Sequence, residues 1–248
     1  MDCIILARSH RDIIVMDNLS DMNVLEVYHK GKKIIKDEKV EIRPCDPQLK
    51  NTVHLLGFRE SDLRLPWREG KVHILKMMEG QIVTEDVQEE VGYTEEKGRK
   101  VFKPDGTYQK IAAVERHKNT GKIGVGIVKG FGLRGGAIAS SVSHDSHNLI
   151  VIGDNDHDMY LAVQELLRTQ GGYTLVENGQ AFDTLPLPIM GLMSDAGYEK
   201  VNEKLARMIP KAHEMGIPEG FDPFITLSFM ALPVIPEIRI TPRGVYLT

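Results

Sequence analysis

Residues 148–179 read NLIVIGDNDHDMYLAVQELLRTQGGYTLVENG, and their apolar residues change spacing twice. NLIVIG is a short unbroken apolar run that stops at Gly153, the pattern of a buried strand. Asp154 or Asn155 then offers a side-chain oxygen to cap a helix running to about Thr169. Met159, Val163, Leu166 and Leu167 form its stripe, and Gly171 and Gly172 end it. GYTLVENG follows as a second strand. Strands of one sheet joined through a helix are parallel, with a right-handed crossover, so the unit belongs to a sheet packed with helices.

Downstream, Tyr198, Val201, Leu205, Met208, Ile209, Ala212 and Met215 recur at helical spacing. They predict a second helix from Asp195 to His213, capped by Ser194, in which Pro210 produces a kink or ends the regular part. The tail DPFITLSFMALPVIPEIRITPRG, dense in apolar residues and prolines, predicts a short buried helix and then an edge strand. Upstream, KIAAVERH and GKIGVGIVKGFG flank residues 118–120 as the arms of a hairpin. Gly124, Gly126, Gly130 and Gly132 signal that another backbone or a ligand comes close. GFGLRGG has neither the GxGxxG nor the lysine-bearing phosphate-loop pattern, which argues against a nucleotide fingerprint. Before these lie a strand-like piece, KVHILKMMEGQIVTEDV, and a charged excursion, EEVGYTEEKGRKVFKPDG.

The first segment reads as strands from Asp12 to Met16 and Val24 to His29, then a tight turn at Lys30 and Gly31 into a strand from Lys33 to Ile35. KDEKVEIRPCDPQLKN, charged and with two prolines, reads as a linker. The expected organisation is a small β unit over residues 1–42, a linker over 43–70, and an α+β domain with a mixed sheet over 71–248.

The 248 residues suffice for one large domain or two modest ones. Cys3 and Cys45 are too few for a disulfide framework and not spaced as a zinc site, which suits a reducing cytoplasm. No apolar run is long enough to cross a bilayer, and MDCIILARSHRD lacks a basic leader and a small-residue cleavage site, so neither a membrane nor secretion is expected. With 31 basic against 35 acidic residues, the net charge of -4 creates no field for nucleic acid. A small-molecule or protein partner is expected.

The candidate chemistry lies in SVSHDSHN, residues 141–148. If the strand already begins at Asp145, then Asp145 and His147 share one face while His144 and Ser146 point to the other. An acid beside an imidazole holds its tautomer and raises its basicity, as in a proton shuttle or metal site. The bland alternative is that Asp145, Ser146 and Asn148 make turn bonds while the histidines sit at a wet surface. In VERH, Glu115 and His117 likewise share one face of a predicted strand, either for acid–base work or as a solvated hairpin end. The acids of DNDHD suit a helix N-terminus, with His157 on its surface. His213 suits a helix end, and Met190, Met193, Met208, Met215 and Met230 suit core filling.

Three long segments together carry a resemblance: AAVERHKNTGKIGVGIVKGFGLRGGAIASSVSHDSHNLIVIG, LPLPIMGLMSD and DPFITLSFMALPVIPEIRITPRGV. In this order they resemble the C-terminal domain of microbial adenine deaminases, from about Lys110 to the end. RDIIVMDNLSDMNVLEVYHKGKKI is similar to the β-sandwich strands that follow the metal barrel in the amidohydrolase superfamily, so residues 1–42 would be a remnant of that sandwich. The resemblance implies hydrolysis of adenine to hypoxanthine and ammonia in purine salvage or adenine catabolism. It implies a divalent metal, manganese or iron, held by a barrel whose ligands, including an HxH pair, are not in this sequence. The implied partners are adenine, the amidohydrolase barrel as domain or subunit, and further copies of the chain in a homo-oligomer. The implied site is His147 as substrate contact or proton shuttle, Asp145 as its orienting partner and His144 as a second donor, with Glu115, His117 and Asn148 as substrate contacts. Two other readings stay open: a non-catalytic purine-binding or assembly module, and a stand-alone metallohydrolase using His144, His147 and Glu115.

Overall fold

The computed structural model describes residues 12–34 and 44–248. The chain divides into two compact units, Met1–Arg43 and Pro44–Thr248. In the first, strands β1 (Ile13–Met16), β2 (Val24–His29) and β3 (Lys32–Ile34) form an antiparallel sheet in the order β1-β2-β3. The β2–β3 turn uses Lys30 at φ 51° and Gly31 at φ 76°, the two left-handed positions of a tight hairpin turn. Ile13, Ile14, Val24, Leu25 and Ile34 are exposed. The expected end of β3 at Ile35, with residues 1–11 and 35–42 of the expected sandwich remnant, lies outside the described residues.

The second unit is built on a mixed sheet of eight strands. These are β4 (Val72–Met77), β5 (Thr84–Glu89), β8 (Tyr108–Val114), β9 (Ile123–Lys129), β10 (Gly136–Ser140), β11 (Leu149–Gly153), β12 (Gly172–Glu177) and β13 (Gln180–Pro186). Their spatial order is β13-β12-β10-β11-β8-β9-β4-β5, and every neighbour pair is antiparallel except β4 with β9. Because β10 is antiparallel to both β11 and β12, those two strands run parallel, joined by α1 (Asp156–Thr169) with one strand between them. The charged excursion is a separate hairpin, β6 (Tyr93–Glu96) and β7 (Arg99–Phe102).

β11 reads as an unbroken apolar run because both its faces are covered. Leu149 and Val151 pack with Met159, Ala162, Val163 and Leu166 of α1. Ile150 and Ile152 pack on the other side with Met208 and Ala212 of α2 (Tyr198–Glu214) and Phe224 and Leu227 of α3 (Pro223–Phe229). Asn155 caps α1, its side chain accepting from the Asp158 amide at 2.8 Å. Asp154 instead accepts from the amides of Gly135 and Gly136. The helix closes on Gln170, left-handed at φ 60°.

Three expectations change. α2 starts at Tyr198 behind Gly197, because Ser194 bonds the Ala196 amide in a preceding turn; of the two outcomes expected at Pro210, the helix does not end there but runs through it to Glu214. The tail ends as a hairpin, β14 (Ile238–Thr241) with β15 (Gly244–Leu247), rather than as one edge strand. It explains two of the glycines. A Cβ on Gly124 would overlap the carbonyl oxygen of Thr241, and one on Gly126 would stand 2.9 Å from Val245 Cγ2. At Gly132 the neighbour is the Gly216 carbonyl, so another backbone is what comes close. Lastly, residues 44–70 are not a free linker: Val53, Phe58 and Leu63 are buried in the core beneath α1. Among the described residues no helix is long and apolar enough to cross a membrane.

Candidate functional site

Residues 141–148 connect β10 to β11 at one end of the sheet. Pairing of Leu149 with Val114 sets this connection beside residues 115–117, which leave the end of β8. The Ser228 carbonyl at the end of α3 accepts from the His144 amide at 3.1 Å. Sheet and helix together therefore define where the loop stands.

The strand begins at Leu149, not at Asp145, so the expected pairing of Asp145 and His147 on one strand face does not occur. A turn closed by the His147 amide on the Ser143 carbonyl, 2.6 Å, replaces the extended backbone, with His147 at φ 48°. The structure still brings the two histidines together. Their ring centroids are 6.2 Å apart, and the His144 ring lies 4.8 Å from that of Phe229. Nδ1 of His147 and Oγ of Ser143 are buried without a hydrogen-bond partner. Asp145 is exposed and influences His147 through charge rather than through a bond to Nδ1. Burial pushes the His147 imidazole below its ordinary value; Arg116, His144 and His117 add to this and Asp145 opposes it. The uncharged ring is thus the favoured form at neutral pH.

Glu115, His117 and Asn148 spend polar groups on the protein. The Glu115 carboxylate accepts from the amides of His117, Lys118 and Thr120 and from the Thr120 hydroxyl, at 2.6 to 3.0 Å. Burial raises its pKa, and these bonds together bring it down to about 2. The expected acid–base face shared by Glu115 and His117 is absent because β8 ends at Val114 and a turn follows. His117 is exposed and its Nε2 lies 2.7 Å from the Ser146 carbonyl. Asn148 is buried, and its Oδ1 accepts from the Arg116 amide at 3.4 Å.

Sequence reasoning missed Arg116, Ser143 and Phe229. Strand alternation in VERH puts Arg116 on the face away from Glu115 and His117, and nothing local marks it as buried. Tertiary contacts alone draw its guanidinium inward. Other polar positions follow expectation: His157 Nδ1 lies 3.0 Å from Glu60 on the α1 surface, and His213 Nδ1 lies 2.9 Å from the Ile217 carbonyl.

Among the described residues no group of three or more His, Cys, Asp and Glu could hold a metal ion. His144, His147 and Glu115 do not converge, since the Glu115 carboxylate is enclosed by its own turn, so the residues present do not fit the implied metal. A cleft of about 580 Å³ lined by Gly132, Arg134, Glu177, Asn178 and Glu214 lies elsewhere, and none of the six candidate residues lines it.

Residues 81–247 match the family model described as the adenine deaminase C-terminal domain. A protein of Desulfitobacterium hafniense (strain Y51) named adenine deaminase is 50% identical over 235 residues, 95% of this chain and 41% of its own length. Proteins of the same name from Nitratidesulfovibrio vulgaris (strain DP4) and Bacillus subtilis (strain 168) are 41% and 37% identical, each over 95% of this chain and 41% and 42% of their own lengths. The chain spans about two fifths of the length of these curated relatives.

Proposed function

We propose, for a chain that belongs to the adenine deaminase family and carries that family's C-terminal domain, that it forms the C-terminal portion of an adenine deaminase. Combined with the metal-bearing amidohydrolase barrel, as another domain or subunit, it would take part in hydrolysing adenine to hypoxanthine and ammonia. The match over residues 81–247 carries this reading. The divalent metal, manganese or iron, belongs to the barrel, and no step at a metal is assigned to this chain.

The chain's own contribution is a polar wall. An uncharged His147, half buried with Nδ1 unpartnered, has one nitrogen to donate and one to accept. It is suited to carry a proton from the attacking water toward the departing amine, or to bond a purine ring nitrogen. His144 beside it is the second donor, and the charge of Asp145 opposes the lowering of the His147 imidazole. Glu115 closes its own turn, while His117 and Asn148 tie the loop to the end of β8; all three come second as substrate contacts, because their bonds are made within the protein. The two-cysteine composition supports a cytoplasmic setting, and a homo-oligomer is the expected assembly.

The test is to combine the chain with the barrel-bearing part of a relative and follow loss of adenine. Activity should require both parts, and His147→Gln should lower kcat by roughly 10²–10⁴. Absence of activity with any such part, or full activity in a chain lacking both imidazoles, defeats the reading. A second reading, a purine-binding or assembly module without catalysis, is favoured by the lack of a metal-holding group among the described residues. Calorimetry of the chain alone with adenine separates the two: tight binding together with an inert mixture supports the module.

A further inference from the structure

Arg116 is 1% exposed and, among the described residues, forms no ion pair with a carboxylate. Its neighbour Glu115 is turned away into its own loop. Instead the guanidinium meets carbonyls of three chain segments. Nη1 donates to Thr52 O at 3.0 Å and Thr52 Oγ1 at 3.1 Å, Nη2 to Met190 O at 2.9 Å, and Nε to His147 O. Gly191 makes room for it: a Cβ there would stand 2.9 Å from Nη1 and 3.0 Å from Cζ. Burial lowers the guanidinium to about 10, which leaves it a cation at neutral pH.

A buried cation without a counter-ion is costly, and a hydrophobic side chain could fill such a space at less cost. The fold contains a second example. Arg239, also fully buried, donates to Thr84 Oγ1 and to the carbonyls of Ile82, Pro236 and Ile238, and so ties the terminal hairpin to the β4–β5 turn. Arg116 differs in its Nε, which in Arg239 is buried without a partner and here has an acceptor. That acceptor is the carbonyl of His147, which has a left-handed backbone and a buried unpartnered Nδ1.

We infer that Arg116 is a positioning residue: through Nε on the His147 carbonyl it holds that backbone in its left-handed turn and so sets where the imidazole points. What the imidazole is presented to rests on the proposed function; its placement does not. The charged and titratable groups facing His147 are Arg116 and His117 from the end of β8, and His144 and Asp145 from its own loop. Three of the four favour the uncharged ring.

The experiment is NMR on the whole chain, with His147 assigned by comparison with His147→Gln. In the unaltered protein Arg116 should show a slowly exchanging Nε–H and restricted Nη rotation; a guanidinium averaged by fast rotation and exchange overturns the inference, and this reading needs no variant to fold. In Arg116→Gln the titration midpoint of His147 should move upward and its amide should exchange faster. Arg239→Gln should lower the melting temperature without moving either signal. An Arg116→Gln chain that loses stability while the His147 midpoint and amide stay as before shows a strap and nothing more, which also overturns it. Inactivity of the assembled enzyme would defeat the proposed function and leave these signals where they are.

Discussion

Glu115 illustrates how a side chain that suggests catalysis is used up by its own turn. One carboxylate takes three amides and a hydroxyl, which is the work of a loop cap. Because its pKa is depressed in the folded chain, the stabilisation is fully present above the ordinary value of 4.5 and is lost as pH falls toward about 2. Glu115→Gln should therefore cost about 1–3 kcal/mol at neutral pH, and the gap to the parent in urea unfolding should narrow steadily below pH 4.5. A gap that stays constant between neutral and acid pH would contradict the bonding described. His147 has the opposite chemistry but the same sign. Its lowered pKa makes protonation unfavourable in the folded state, so its contribution is lost as pH falls below the ordinary imidazole value.

Among the elements, α1 and the terminal hairpin depend on single positions. Asn155→Ala removes the cap on the Asp158 amide and should cost about 1 kcal/mol in denaturant unfolding. Gly124→Ala should cost roughly 1–3 kcal/mol or more, because the added methyl meets the Thr241 carbonyl where β15 crosses β9. Gly92→Ala is the control: nothing lies within 4 Å of its Cβ and its φ is ordinary, so the change should stay within about 0.5 kcal/mol. Equal melting temperatures for the two alanine variants would mean that the hairpin does not pack as described. The strand–helix–strand unit was legible because its periodicity is local and its caps are short-range. The start of α2 was not, because Ser194 satisfies the rule for a cap yet spends its oxygen on a turn two residues earlier.

Across the molecule the two units differ in how they bury apolar residues. The eight-stranded sheet hides Ile150, Val151 and Ile152 completely, whereas the three-stranded sheet leaves Ile14, Val24 and Leu25 more than half exposed. A small three-stranded sheet is marginal on its own. In the isolated chain, amides of β11 should exchange only on global unfolding, while those of β2 should exchange orders of magnitude faster. Comparable protection in both units would show that the small sheet gains a cover in solution. The candidate site sits in the larger unit, at the end of the sheet where three strands and α3 fix the His144 to His147 loop.

Periodicity and capping residues, readable within a dozen positions, were enough to define the mixed α+β class, the parallel pair around α1 and the β8–β9 hairpin, while the family was legible only as a resemblance carried by three long segments. Contacts between distant segments decided the rest. Gly124 and Gly126 meet the last strand, residues 44–70 fold into the core under α1, and Arg116 turns inward onto Thr52, Met190 and His147. Periodicity records which face of an element is apolar, and only packing determines which backbone arrives at that face and which polar atoms it leaves without partners.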